Sequence, residues 1–184
     1  MACHGGFSLD EKTRRSWYNP EAILTSLKLG MTLADIGCGD GFFSVLAAKI
    51  VGEKGKVYAL DIDRSGIEKL EQKAKALDFR NIKTKVGAAE DVIFCEKCVD
   101  LVFFSMNLHD FNNPRKVLIN AKHMLKTDGL LVDLDWKKIA MQFGPPVGIR
   151  FSEQHASEMI SSAGFTVTGI KDAGPYHYVI NAKP

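Results

Sequence analysis

The chain has 184 residues, of which 46% are hydrophobic and 25% charged, with 16 Gly and only 6 Pro. A globular chain of this length buries roughly 70% of its unfolded surface, and the composition excludes a disordered, collagenous or low-complexity protein. With 24 basic against 22 acidic side chains the net charge is +2, which gives no electrostatic case for a dedicated nucleic-acid or membrane-surface binder.

Read from the N-terminus, MACHGGFSLDEK lacks the apolar stretch of a secretory signal, and no window holds enough consecutive apolar residues to span a bilayer. The expectation is a cytoplasmic protein with reduced thiols. Asn19-Pro20 starts a helix that Gly30 ends. Leu33 to Ile36 is a first strand; Phe43, Leu46, Ala47, Ile50 and Val51 then mark one helix face, with Gly52 as the stop. Val57 to Leu60 is a second strand, and Ile67, Leu70, Ala74 and Leu77 mark the next helix. Ile82 to Val86 makes a third strand. Leu101 to Phe104, apolar throughout, makes a fourth, buried on both faces.

Asn113-Pro114 caps and opens a helix through Leu125, which the Asp128-Gly129 turn separates from a fifth strand, Leu130 to Leu134. A long irregular loop, Lys137 to Phe151, contains Pro145-Pro146. Ser152 then caps a helix ended by Gly164, and two closing strands, Phe165 to Ile170 and Tyr176 to Ala182, flank Ala173-Gly174-Pro175 as an antiparallel pair. Strands alternating with helices predict a doubly wound α/β domain with a mostly parallel sheet covered on both faces. Residues 1–184 form one domain, with 1–30 as an N-terminal extension and 31–184 as the α/β core.

The sharpest local signal is Ala34 to Ser44, ADIGCGDGFFS. Gly37, Gly39 and Gly41 lie between a buried strand and a helix start, where glycine permits a tight turn and close approach of a ligand to the main chain. Asp61 follows Gly41 by twenty residues at the end of the second strand, the place from which an acid accepts hydrogen bonds from both hydroxyls of a ribose. A nucleoside-containing ligand at the carboxyl ends of the strands follows. Asp40 inside the loop disfavours a pyrophosphate, and so a dinucleotide-dependent oxidoreductase.

Asp35-Ile36-Gly37-Cys38-Gly39-Asp40-Gly41 and Ala59-Leu60-Asp61-Ile62-Asp63 resemble the class I S-adenosylmethionine-dependent methyltransferases. So do Gly87-Ala88-Ala89-Glu90-Asp91, Asp100-Leu101-Val102-Phe103-Phe104 and Met124-Leu125-Lys126-Thr127-Asp128-Gly129, within that family nearest to the small-molecule and quinone methyltransferases. The resemblance implies a seven-stranded sheet with the last strand antiparallel. It implies S-adenosylmethionine as cofactor, S-adenosylhomocysteine as product, and a small-molecule methyl acceptor. It also implies that Gly37, Gly39 and Gly41, with Cys38 between them, line the methionine and ribose, that Asp61 holds the ribose, and that Ile62 packs on adenine. Ala89 and Glu90 or Asp91 meet the adenine edge, Asp35 lies beneath the loop near the methionine amino group, and Ser105 offers backbone beside the methionine chain. A non-catalytic cofactor-binding subunit is the alternative reading.

A sulfonium leaves as a neutral thioether, so alignment and exclusion of water carry much of the rate, and a base is needed only for a protonated nucleophile. His109, in Ser105-Met106-Asn107-Leu108-His109-Asp110-Phe111, is the candidate base; holding the loop by hydrogen bonding is its other reading. Arg14, Arg15, Trp17 and Tyr18 are a candidate lid, and Arg150 a candidate contact for an anionic acceptor. Cys95-Glu96-Lys97-Cys98 is one pair without a second, so structural zinc is disfavoured, no metal is expected, and both thiols are read as free. Cys3-His4 completes a metal set only if the N-terminus folds across.

Overall fold

The computed structural model describes residues 10–184; Cys3, His4 and the rest of the first nine lie outside the described residues. Helices α1 (Glu11–Trp17) and α2 (Pro20–Ile23) precede β1 (Thr32–Ile36), α3 (Phe42–Val51), β2 (Lys56–Asp61) and α4 (Arg64–Ala76). There follow β3 (Ile82–Val86), β4 (Val99–Ser105), α5 (Pro114–Met124), β5 (Leu125–Trp136), α6 (Glu153–Ser162), β6 (Thr166–Ala173) and β7 (His177–Lys183). The seven strands make one sheet in the order β3-β2-β1-β4-β5-β7-β6. β7 runs antiparallel to both neighbours, while the pairs from β3 to β5 are parallel. The seven-stranded, doubly wound α/β fold with its reversed last strand is therefore present.

Two apolar layers cover the sheet. On one face Phe43, Ala47, Ala48 and Val51 of α3 pack with Tyr18, Leu24 and Leu27 against Leu33, Val57, Phe103 and Val132. On the other, Val117, Leu118 and Ala121 of α5 and Ala156 and Ile160 of α6 pack against Ala34, Ile36, Val102, Phe104, Leu131 and Tyr178. The caps agree with the residue types: the Asn113 side chain accepts from the Lys116 amide and Ser152 from that of His155, each satisfying a helix-end donor. None of the described helices is long and apolar enough to cross a membrane.

Two boundaries differ from the sequence expectation. The helix opened by Asn19-Pro20 ends at Ile23, not near Gly30, because Leu24 and Leu27 turn into the core beneath α3. The helix from Pro114 stops at Met124, and extended backbone begins at Leu125; Leu125 pairs with Val99, so β5 gains residues through the Asp128-Gly129 segment.

Candidate functional site

The glycine segment turns directly off the buried end of β1. Gly37, Gly39 and Gly41 all have left-handed backbone, with φ of 75°, 55° and 83°. The Gly37 and Cys38 amides both donate to the Leu60 carbonyl, at 2.7 and 3.0 Å, folding the turn back over β2. A Cβ on Gly37 would stand 2.2 Å from Asn107 Nδ2. That amide instead fills the place, donating to the carbonyls of Ile36 (2.7 Å) and Gly37 (2.9 Å) and tying the turn after β1 to the turn after β4. No atom lies within 4 Å of the Cβ position of Gly39, which opens on a cavity. Its amide donates to Asp61 Oδ2 at 2.7 Å, and the Asp63 amide donates to Oδ1 at 2.8 Å. Asp61 is thus fixed at the carboxyl end of β2 with one N–H on each oxygen. A carboxylate oxygen takes two donors, so both keep an accepting position.

The cavity, about 460 Å³, opens over the carboxyl ends of β1, β2 and β4, beside the switch point where β1 neighbours both β2 and β4. Gly37, Gly39, Asp61, Ile62, Ala89, Glu90, Ser105 and His109 line it. Cys38, Gly41, Asp35 and Asp91 stand off the lining. The Cys38 thiol, pushed far up by burial and by the charges of Asp35 and Asp61, lies 3.7 Å from the Gly39 carbonyl. A Cβ on Gly41 would meet Leu70 at 2.3 Å, so this glycine lets α4 approach the start of α3. Asp91 is exposed and ion-paired to Lys116 at 3.0 Å. Asp35 is buried beneath the loop; Ser44 Oγ donates to one oxygen at 2.6 Å and the other has no protein partner. Burial, only partly offset by that hydrogen bond, pushes its carboxyl up to about 7.

His109 also lines the cavity, from a single turn of 3₁₀ helix after β4. Its Nδ1 is 2.9 Å from the Asp135 carboxylate, with both side chains 1% exposed. An ionised carboxylate only accepts, so Nδ1 carries the proton and Nε2 holds the lone pair. Nε2 makes no hydrogen bond; Asp110 Oδ1 stands 3.5 Å away. Burial alone would lower the His109 pKa, but the hydrogen bond and charge of Asp135 outweigh it and hold the imidazole above its ordinary value. Behind this pair Asp133, on the same face of β5, is buried with neither oxygen bonded; burial and the neighbouring Asp135 charge hold its carboxyl well above the ordinary range.

Sequence reasoning did not single out Asn107, Asp135 or Trp136. Asp135 had a visible signal: two acids, Asp133 and Asp135, at period 2 in the otherwise apolar strand LLVDLDW. The lid candidates divide. Arg14 lines the cavity with its guanidinium 5.1 Å over the Phe42 ring, whereas Arg15 is spent on Glu11 and Glu21 at the surface. Tyr18 is buried against Phe43. Trp17 stacks on Phe143 at 4.9 Å, joining α1 to the 137–151 loop, whose Gly144 and Pro145 also line the cavity.

Arg150 is not available to an acceptor. It is 2% exposed, and its guanidinium donates to the carbonyls of Pro145, Lys137, Ile139 and Phe143. The loop is irregular in secondary structure but organised around one buried cation, which also lies over the Trp136 ring. Cys95 and Cys98, the two thiols read as free, are brought face to face, their Cα atoms 6.0 Å apart, because Lys97 takes a left-handed φ of 47° that turns the chain back on itself.

The residues present suit an adenosyl sulfonium. Asp61 offers two free accepting positions beside bare main chain at Gly39, and Ile62 leaves a large apolar side chain 60% exposed on the cavity rim. The cavity-lining Ser105 and Asn107 each carry a buried oxygen, Oγ and Oδ1, with no protein partner. Acceptors and acids, not clustered N–H donors, dominate the lining, which matches a ligand carrying ammonium and sulfonium charges.

Residues 27–164 match the family described as the methyltransferase domain. A demethylmenaquinone methyltransferase of Geobacillus stearothermophilus is 29% identical over 110 residues, 60% of this chain and 47% of that protein. A ubiquinone/menaquinone biosynthesis C-methyltransferase of Rickettsia felis is 25% identical over 158 residues, 84% of this chain and 61% of that protein. The chain spans about half the length of the curated relatives it matches. Among solved structures, a SAM-dependent methyltransferase from Aquifex aeolicus superposes with a TM-score of 0.89 at 31% identity, covering 95% of this chain and 94% of that one.

Proposed function

The chain belongs to the methyltransferase-domain family, and on that premise we propose that it transfers a methyl group from S-adenosylmethionine to a small-molecule acceptor in the cytoplasm. One observation carries the reading: Asp61, Gly39 and His109 line one and the same cavity. When bound, S-adenosylmethionine supplies a methyl group made electrophilic by a positive sulfur.

Asp61 accepts the ribose hydroxyls, Ile62 covers the adenine, and Ala89 and Glu90 border its edge. Ser105 and Asn107 line the amino-acid end with unfilled oxygens, and Asp35 lies behind them, buried beneath the loop with one oxygen unpartnered. Trp136 and Pro145 close the acceptor side with Arg14. They exclude water and hold the two reactants in line, which is the main demand of a displacement at a sulfonium. His109 Nε2 takes the acceptor's proton. Asp135 fixes the tautomer that leaves Nε2 basic and stabilises the imidazolium that forms. The small-molecule character of the acceptor is supported by the relatives' names and by a cavity walled by side chains of one domain.

Calorimetry with S-adenosylhomocysteine and NAD tests the cofactor: the first binds and the second does not. Formation of S-adenosylhomocysteine by the isolated chain across a panel of phenolic, quinol, amine and thiol acceptors then tests catalysis. Cofactor binding without turnover on any of them favours the non-catalytic subunit, and binding of NAD alone overturns the proposal.

A further inference from the structure

The segment from Gly87 to Cys98 borders the nucleoside end of the cavity and then runs along α5 to β4. Its first part is anchored. The Gly87 amide donates to the Asp61 carbonyl at 2.9 Å, and Asn120 Nδ2 donates to the carbonyls of Ala89 (3.0 Å) and Glu90 (2.8 Å). Its last residues are anchored too, the Lys97 and Cys98 amides donating to His123 and Met124 at the end of α5, both at 2.9 Å. Between these anchors Val92 is buried, packed beneath Gly87, and Phe94 stacks on Tyr58 at 4.7 Å. At the far end Cys95 faces the pinned Cys98, their Cα atoms 6.0 Å apart.

We propose that Cys95 and Cys98 are a reversible dithiol–disulfide couple whose redox state sets the order of the wall that faces the cofactor; its regulatory part rests on the methyltransferase reading. Both cysteines are only partly buried, so an exchange partner can reach them. The Cα separation of 6.0 Å is within the range a disulfide spans without backbone movement. Cys38, the remaining described cysteine, has its thiol pushed far up by burial and does not compete. In a cytoplasmic protein a disulfide of this kind is characteristically redox-active, not a permanent staple.

The reductant is an external dithiol. One of its thiolates attacks a sulfur of the Cys95–Cys98 bond, forming a mixed disulfide and releasing the other cysteine as a thiolate that takes up a proton. The reagent's second thiol then displaces the remaining cysteine. Two cysteine thiols and the oxidised, disulfide form of the reagent result, with two electrons and two protons transferred. Cys95 is then released from Cys98, and residues 91–95 keep the Asp91–Lys116 ion pair, the Asp91 amide bond to Ala88 and the packing of Val92 and Phe94, but lose their covalent tie.

Maleimide labelling of the native protein, equilibrated with oxidised glutathione and then with dithiothreitol, tests the couple. Two further thiols become reactive on reduction, and none in a Cys95→Ser/Cys98→Ser double variant; equal labelling before and after reduction overturns the proposal. Hydrogen exchange at residues 88–94 accelerates several-fold on reduction, and affinity for S-adenosylhomocysteine falls about fivefold, the low end of ordinary coupling between sites. The double variant behaves as the reduced protein whatever the reagent. Unchanged exchange and affinity with a thiol pair that does cycle would refute the control of the cofactor wall. If S-adenosylhomocysteine binds neither form, the methyltransferase reading fails, while labelling and exchange still decide the couple.

Discussion

Replacing Asp61 by Asn tests the cofactor site at its most constrained point. The carboxylate receives the Gly39 amide on Oδ2 and the Asp63 amide on Oδ1 and is 9% exposed. A carboxamide has one oxygen, so its NH₂ must face one of those two N–H donors, leaving it unpaired at a cost of about 1–3 kcal/mol. For a domain of this size that lowers the thermal midpoint by roughly 2–12 °C. The ligand loses separately: a hydroxyl bonded to an ionised acceptor contributes about 1.5–3 kcal/mol, so affinity for S-adenosylhomocysteine falls roughly 10- to 150-fold. Calorimetry at a temperature where circular dichroism shows both proteins folded separates the two effects. If the variant melts earlier as expected yet binds within twofold of the parent, Asp61 does not hold the ligand and the orientation of the site is wrong.

The cavity-lining His109 makes a kinetic prediction. His109→Gln lowers kcat by about 10²–10⁴ and leaves S-adenosylhomocysteine affinity within twofold; equal losses in both would reassign His109 to cofactor binding. Because only neutral His109 accepts a proton and Asp135 raises its pKa, turnover in the parent falls as pH drops through a value above 6.5, and Asp135→Asn moves that limb to lower pH. A limb that does not move would separate Asp135 from the base. Gly37→Ala places a methyl group on the Asn107 amide at a φ of 75° and destabilises the protein by about 1–3 kcal/mol in urea unfolding; a neutral effect would refute the Asn107 bridge.

Stability against pH reads two buried groups of opposite sign. Asp35, raised by burial to about 7, binds its proton more tightly folded than unfolded, so its contribution falls as pH rises from about 4 to 7. His177, lowered to about 3 by burial and then by Arg14, Arg150 and Lys137, does the reverse, its contribution being lost as pH falls from 6.5 towards 3. Each is on the order of 4 kcal/mol across its window, so they offset one another between about pH 4 and 6.5. Relative to the parent, Asp35→Asn loses stability as pH falls from 6.5 to 4 and His177→Phe gains it over the same range; parallel pH curves for all three proteins would refute both assignments.

Local chemistry carried the secondary structure and the nucleoside end of the site. Strands too apolar to face water, caps at Asn113 and Ser152, and glycines beside an acid at fixed spacing are properties of a few consecutive residues and survive without knowledge of neighbours. Where the Asn19 helix ends was not among them, since Leu24 and Leu27 leave it to enter a core built from distant strands.

The sequence by itself determined that an α/β sheet would present Gly39 and Asp61 together at its carboxyl edge, where both line one cavity, because turn geometry and charge act over short range. Only the tertiary structure decided that His109 is held by Asp135, that Arg150 is spent on loop carbonyls, and that Cys95 meets Cys98. Each of these rests on what burial leaves as the nearest partner. A carboxylate from β5 reaches the imidazole because β4 and β5 are neighbours. Four carbonyls of the 137–151 loop surround a guanidinium that water no longer reaches.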